Sequence, residues 1–202
     1  MMGEQSVAKR LYWDRYVGPD SRWRTDWATG GPALPPGEEL AALRGGLGRP
    51  AMDSAKIWPF YTSPVDDVLA LQDRISDEQE AEHAALALFG LHQQSQVAPM
   101  HRNGVKVGQA LLALRRSGKF SEDAVDRRVS TMAGATSVPA LLMHLRGLIT
   151  QLRAVQQPLD YSHLMADIRS WHDVERRPAV RRRWALGYQA WRQEQPGEKA
   201  RT

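Results

Sequence analysis

Arginine and lysine side chains in the second half of the sequence carry the strongest chemical signal, because guanidinium and ammonium groups bind phosphate. Residues 101–202 contain eighteen lysines and arginines against nine aspartates and glutamates, whereas residues 1–100 contain nine against fourteen. The two net charges, +9 and −5, give the formal +4 of the whole chain. A segment this basic suits a polyanion, so the charge predicts binding to a nucleic-acid backbone without reading of its sequence.

The spacing of these cations favours one continuous basic surface built from several helix edges. Arg146 and Arg153 lie two helical turns apart beside a leucine stripe in the predicted helix 137–154. Arg181 and Arg192 flank the apolar side of the last predicted helix. The neighbouring predicted helices and loops add Lys106, Arg115, Arg116, Lys119, Arg127 and Arg128. The alternative is that these are ordinary surface residues, some of which favour helix C-termini.

Residue patterns typical of enzymes and metal sites are absent from the sequence. There is no G-x-S-x-G, H-E-x-x-H or phosphate-loop motif, and the lack of cysteine excludes disulfides, thiolate catalysis and cysteine zinc sites. His163 and Asp167 lie four residues apart and could share a metal, but without a third ligand nearby a surface hydrogen bond is favoured. Asp66–Asp67 and the run Glu78, Glu80 and Glu82 are interpreted as solvated helix starts rather than as a carboxylate pair. We therefore expect no catalytic residue, metal or cofactor. The hypothesis that the protein is a hydrolase would depend only on His and Asp residues to which the sequence assigns no role.

The elements that must position the cations are all predicted to be helices. Ser76 with Gln79 forms a capping box, while Ser121, Ser137 and Asp160 begin three later helices. The predicted helices cover 4–17, 38–44, 77–96 and 106–117, begin again at the three caps just named, and end with 176–193. Because no segment shows sustained strand alternation, the sequence predicts an all-α bundle of about eight helices.

Breaks in the helical pattern suggest how the chain is organised. Pro99 and Gly104 interrupt it, which predicts an acidic N-terminal lobe (1–100), a basic C-terminal lobe (101–194) and a disordered tail (195–202). Residues 20–37 are predicted to be a Gly/Pro-rich loop. The segment 49–65 is predicted to be irregular and anchored to the core by Trp58, Phe60 and Tyr61. Most of the seven tryptophans are interpreted as packing residues.

Membrane and export signals are also absent. No apolar run approaches the roughly 18 residues that a spanning helix needs. Residues 1–5 lack a basic segment followed by an apolar one, so a signal peptide is not expected. The sequence therefore favours a cytoplasmic protein that does not bind a membrane or a small-molecule substrate.

An ordered series of segments runs through residues 38–192. It comprises ELAALRGGLGRP, IWPF and EHAALALFGLHQQ, then GVKVGQALLALRRSG, EDAVDRRVSTM, LLMHLRGLITQLR, PLDYSHLMADIRSW and RRPAVRRRWALGY. In this order the segments resemble the CasB family, the small subunits of the type I-E CRISPR surveillance complex, Cascade. The resemblance implies an all-helical, non-catalytic protein. Two copies would pack head to tail beside the other Cascade subunits that hold the guide RNA (crRNA).

The same resemblance implies a role for the basic surface, which would steady the guide–target duplex and the displaced DNA strand. The resemblance implies that the following residues bind nucleic acid: Arg44, Lys106, Arg115, Arg116, Arg127, Arg128, Arg146, Arg153, Arg181 and Arg182. Gln109 stands where a relative often has arginine, so one contact is expected to be missing. The alternative function is a scaffold that acts mainly through self-association and subunit bridging, because the two halves carry opposite charge.

Overall fold

The computed structural model of the protein describes residues 10–189, and this part of the chain is built from helices. The α-helices are α1 (Tyr12–Tyr16), α2 (Gly37–Arg44), α3 (Asp67–Ala70), α4 (Asp77–Gln93), α5 (Val107–Arg116), α6 (Glu122–Ala133), α7 (Val138–Ala154), α8 (Tyr161–His172) and α9 (Arg177–Gln189), with a 3₁₀ helix at Ala55–Phe60. Within 10–189 the extended pairing amounts to isolated bridges, with no strand. The all-α prediction is confirmed.

Helix α4 is the centre of the core. The predicted capping box is present: the Ser76 hydroxyl accepts from the Gln79 N–H, and the Gln79 side chain accepts from the Ser76 N–H. Almost every later residue of α4 is buried, because α2, α7 and α8 pack around it. This packing joins elements from both sides of residue 100, and the division into two lobes stays a prediction.

The helices of the second half begin where the sequence predicts. The Ser137 hydroxyl accepts from the Ala140 N–H, and Asp160 accepts from the His163 N–H. Ser121 holds the N-cap position of α6, although its side chain makes no capping hydrogen bond. The predicted inward stripe of α7 is buried: Leu141, Leu145, Leu148 and Leu152. Its opposite face is therefore presented to solvent, which places Arg146 on the surface.

Helices α5 and α9 approach so closely that only glycine fits between them. A Cβ atom at Gly108 would lie 2.3 Å from the Trp184 carbonyl oxygen and 2.9 Å from the Cα of Gly187. This contact fixes α9, whose Val180 and Trp184 complete the apolar core. None of the helices within 10–189 has the length and apolar character that crossing a membrane requires.

Two predictions, on Trp58 and Glu82, are wrong in detail. Trp58 does not anchor its segment through burial, because its side chain is about half exposed. Its indole N–H donates to the Met52 carbonyl. Trp27 lies in the predicted loop 20–37 and is exposed, so it is not among the packing tryptophans. Glu82 is fully buried rather than solvated, because it binds the segment that follows the 3₁₀ helix. By contrast, Asp66 and Asp67 are an exposed helix start as predicted, because Asp66 caps the short helix α3.

Some predictions lie outside the described residues. They concern the first residues of the helix 4–17, the end of the helix 176–193 with Arg192, and the tail 195–202.

Two histidines lie in the interior near the start of α8. His92 and His101 are both fully buried. The Tyr161 hydroxyl donates to the Leu88 carbonyl, so its oxygen accepts from Nδ1 of His92 at 3.0 Å. Burial lowers the pKa of His92 to about 3 and also lowers the pKa of His101. Both side chains are therefore neutral in the folded protein at neutral pH.

Acid is expected to destabilise the fold through these histidines. Below about pH 6.5 the unfolded chain binds protons that the native chain does not, so the free energy of unfolding falls by up to about 1.4 kcal/mol per pH unit for each histidine. Urea unfolding at about pH 7.5 and about pH 5 measures the loss. A His92→Leu variant should lose less stability over this interval than the parent. Parallel pH profiles for the two proteins would contradict this assignment.

Candidate nucleic-acid interface

A groove on the outer face of α6 and α7 brings two of the predicted arginines together. We call it the α6–α7 groove, and its lining residues are Phe120, Arg128, Met143, Arg146, Gly147, Thr150, Gln151 and Ala154. Its volume is about 550 Å³. Arg128 comes from α6 and Arg146 from α7, so the groove holds a cation from each of its two helices.

The amino-acid sequence of α7 explains why this face is open. Because the leucine stripe turns inward, the residues opposite to it, Met143, Arg146, Gly147 and Thr150, are exposed. A Cβ atom at Gly147 would meet no heavy atom within 4 Å. A glycine in a helix interior costs about 1 kcal/mol relative to alanine, and no contact within the described chain requires one here. The surface next to Arg146 is consequently flat enough for a ligand backbone to approach.

The two groove arginines are available for a ligand. Within residues 10–189, the side chains of Arg128 and Arg146 make no hydrogen bond or ion pair, and both are exposed. Lys119 lies beside the far end of the groove, where its ammonium group donates to the Ala154 carbonyl at 2.7 Å. The groove therefore presents two uncommitted positive charges, with a third that caps the C-terminus of α7.

Three other predicted residues are bound by the protein itself. Arg115 pairs with Glu122 at 2.7 Å and Asp126 at 2.9 Å, and its hydrogen bond to Asp126 raises its pKa. Arg153 donates to the Leu91 carbonyl and, at 2.8 Å, to Oε1 of Gln94. Arg181 donates to the Ala135 carbonyl and stacks on Trp171. These three guanidinium groups hold helices together, which a sequence pattern does not distinguish from ligand binding.

The remaining predicted residues lie outside the α6–α7 groove. Lys106 and Arg116 are exposed at the two ends of α5, Arg127 is exposed on α6 and Arg182 is exposed on α9. Arg44 is half-buried at the end of α2. Their part in nucleic-acid binding stays a prediction.

The predicted pairing of His163 with Asp167 does not occur. His163 instead contacts its own N-cap residue, Asp160, at 2.8 Å. Asp167 accepts from Arg183 and from the indole N–H of Trp184, so both its oxygens are occupied. No group of three potential metal ligands is found among residues 10–189.

Sequence reasoning missed part of the groove. Phe120, Met143, Thr150 and Gln151 line it beside the two arginines. The one available signal was Gly147, a glycine within an otherwise strong helical pattern, where it costs about 1 kcal/mol relative to alanine.

A family model and two solved structures indicate the same protein family. The model of the family described as CRISPR-associated protein Cse2 matches residues 39–188. CasB from Thermobifida fusca has a similar structure, with a TM-score of 0.58 and 26% identity over 75% of this chain and 84% of that one. A CRISPR-associated protein of the Cse2 family from Thermus thermophilus gives a TM-score of 0.56 and 25% identity, covering 76% of this chain and 86% of that one. No curated protein sequence matches.

Proposed function

Because the chain belongs to the CRISPR-associated Cse2 family, we propose that it is the non-catalytic small subunit of a type I-E Cascade complex, in which the α6–α7 groove binds nucleic-acid phosphates. In this role the subunit stabilises the guide RNA–target DNA duplex and the displaced DNA strand in antiviral defence. Its partners are the other Cascade subunits, a second copy of itself and the nucleic acids, and its location is the cytoplasm.

The observation that carries the proposal is the pair of uncommitted arginines. Arg128 and Arg146 face one groove from two helices, within the half of the chain whose net charge is +9. Elsewhere on α5, α7 and α9, Arg115, Arg153 and Arg181 are bound by protein atoms. Paired arginines contribute little to ligand binding, whereas unpaired ones release counterions from a nucleic-acid backbone when they bind it.

The groove suits phosphates better than bases. Phe120 is the one aromatic residue among those that line it, and this side chain is partly buried against the core. Strands held by base stacking need several exposed aromatic side chains in succession. We therefore expect binding that tolerates any sequence, as a subunit that meets every target requires.

The direct test is fluorescence anisotropy of a labelled random-sequence single strand, titrated with the full chain at several salt concentrations. We expect log affinity to fall linearly with log salt, with a slope of about −1.4 or steeper, because each neutralised phosphate of a single strand contributes about −0.7. Absence of binding even at low salt would mean that the arginines do not contact nucleic acid in the isolated subunit. Self-association would then become the leading function.

That second candidate, a scaffold acting through self-association and subunit bridging, is favoured by one observation. The first half of the chain has a net charge of −5 and the second half +9, so the acidic half of one copy is complementary to the basic half of another. The two functions are compatible, because a copy can associate through its ends and bind nucleic acid along one side.

A further inference from the structure

A loop that precedes the family-matched region presents an exposed tryptophan. Residues 17–34, which we call the tip loop, fold back on themselves through antiparallel bridges between Val17 and Trp23 and between Thr25 and Pro32. Trp27 lies at the far end and is 93% exposed. Since the family match begins at residue 39, the family fold does not account for this loop.

The tip loop is ordered by its own hydrogen bonds. The Asp26 carboxylate accepts from the Ala28 N–H at 2.9 Å and from the Thr29 hydroxyl at 3.0 Å. The Asp26 N–H donates to the Gly31 carbonyl, and the Gly30 N–H donates to the Asp26 carbonyl, both at 2.8 Å. An indole held outward on a pre-formed loop loses little conformational freedom on binding, which is the property of an interface anchor.

The same chain carries a cavity of a size that accepts an indole. It has a volume of about 550 Å³, lies between the loop after α2, the helix α4 and the start of α7, and we call it the α4–α7 cavity. Its walls are mainly apolar: Leu47, Pro50, Ala84, Ala87, Leu142 and Met143. Pockets of this volume with apolar walls are the usual receptors of aromatic groups.

The residue beside Trp27 and the cavity carry opposite charge. Hydrogen bonding by the Ala28 N–H lowers the pKa of Asp26, so a carboxylate stands beside Trp27 at neutral pH. Arg49 and Arg146 line the cavity, together with Glu80 and the neutral, buried His83 on the α4 side. Because the cavity has two arginines and one glutamate, it favours an indole that has a carboxylate beside it.

The loop and the cavity lie toward opposite ends of helix α4. The indole N–H of Trp23 donates to the carbonyl of Val97, four residues beyond the end of α4, at 2.7 Å. The cavity instead follows the stretch from Glu80 to Ala87, near the beginning of the helix. Trp27 is 93% exposed, so it does not occupy the cavity of its own chain.

We propose that Trp27 of one copy inserts into the α4–α7 cavity of a second copy. The contact is heterologous, since different surfaces of the two copies meet, and it leaves a free loop at one end of the pair and a free cavity at the other. This inference rests on the self-association named above and assigns the residues that form it. Trp27 is less suited to stacking on a nucleobase, because the adjacent Asp26 carboxylate repels the phosphates of a nucleic acid.

Sedimentation velocity of the full chain over a range of concentrations tests the contact. The unsubstituted protein is expected to form dimers and larger species as concentration rises, since a heterologous contact repeats. Trp27→Ala, which removes the anchor, and Ala87→Leu, which fills the cavity, should each weaken association at least about 30-fold, as loss of an interface hot spot does. An equimolar mixture of the two variants should restore dimers and nothing larger, because only one competent loop and one competent cavity can meet.

Two further variants control the experiment. Leu186→Ala removes another exposed apolar side chain, on α9, and should sediment as the unsubstituted protein does. Pro139→Glu places a carboxylate at the exposed edge of the cavity and outside the α6–α7 groove, and it replaces Ala87→Leu if that variant does not fold.

Two results would overturn the contact: a chain that is monomeric at every concentration, or a Trp27→Ala variant that associates normally. The groove and the cavity share Met143 and Arg146, whereas Trp27 lies in neither. Trp27→Ala should therefore bind the labelled strand with unchanged affinity at concentrations where the chain is monomeric, which separates the contact from the nucleic-acid function.

Discussion

Replacing Arg128 and Arg146 together with alanine is expected to abolish most of the electrostatic binding of the α6–α7 groove to single-stranded DNA. If each arginine neutralises one phosphate, the slope of log affinity on log salt becomes less steep by about 1.4. At about 0.1 M salt the same loss corresponds to a roughly 25-fold weaker affinity. Anisotropy titrations of the parent and the variant with one labelled strand measure both quantities.

A control of equal charge separates the groove from the net charge of the chain. Arg169 pairs with Glu78 at 3.2 Å, and Arg176 pairs with Asp173 at 2.9 Å, both on the surface and outside the groove. Arg169→Ala with Arg176→Ala removes the same two charges and should leave the salt slope within about 0.3 of the parent. Equal effects of the two double variants would show that binding follows net charge and that the groove has no special part.

Substitution by lysine sharpens the assignment. Arg146→Lys keeps the positive charge beside Gly147 but loses the bidentate geometry of the guanidinium. The salt slope should therefore be retained while the affinity falls by a few-fold. This combination is not expected of a residue whose role is only to support the fold.

The helices could be predicted because each one is determined by residues close together in the sequence. Ser76 and Gln79 are three residues apart and form the capping box by themselves. The leucines of α7 repeat at helical spacing, so the direction of that stripe also determines which face carries Arg146. For helix α3 only the start at Asp66–Asp67 could be predicted, because a single turn is too short to show an apolar repeat.

The candidate site could be predicted only as a set of cations. Whether an arginine is free depends on residues distant in the sequence. Arg153 is bound by Gln94, which follows α4 and lies 59 residues earlier, and Arg181 by the Ala135 carbonyl, 46 residues earlier. Arg128 and Arg146 show the same charge and a similar helical setting in the sequence, yet they face open solvent. Tertiary packing, rather than residue type, separates the arginines that hold helices together from those available to a ligand.

Glu82 shows the same limit for carboxylates. It follows Glu78 and Glu80 at the start of α4, and the sequence gives no reason to treat the three differently. In the structure Glu80 is exposed and its contact is with His172 at 3.7 Å. Glu82 is 0% exposed: Oε1 accepts from the Thr62 N–H at 2.7 Å and from its hydroxyl at 2.6 Å, and Oε2 accepts from the Ser63 N–H at 2.8 Å. One carboxylate therefore fastens the segment after the 3₁₀ helix to the centre of the core.

Glu82→Ala is expected to be the most destabilising single substitution of an acidic residue in α4. It leaves two backbone N–H groups without their acceptor and opens a gap in the core, at a combined cost of about 3 kcal/mol. For a chain of this size that cost corresponds to a fall in Tm of about 6–12 °C, measured by circular dichroism. Glu82→Gln retains an acceptor oxygen, so its stability should lie between those of the parent and the alanine variant.

The matched control, Glu80→Ala, removes an exposed carboxylate two residues earlier and should change stability by less than about 0.5 kcal/mol. If Glu80→Ala and Glu82→Ala melted together, the Thr62–Ser63 segment would not depend on this carboxylate. That segment would then be held by its neighbour Tyr61, whose hydroxyl oxygen lies 2.6 Å from Nδ1 of His83.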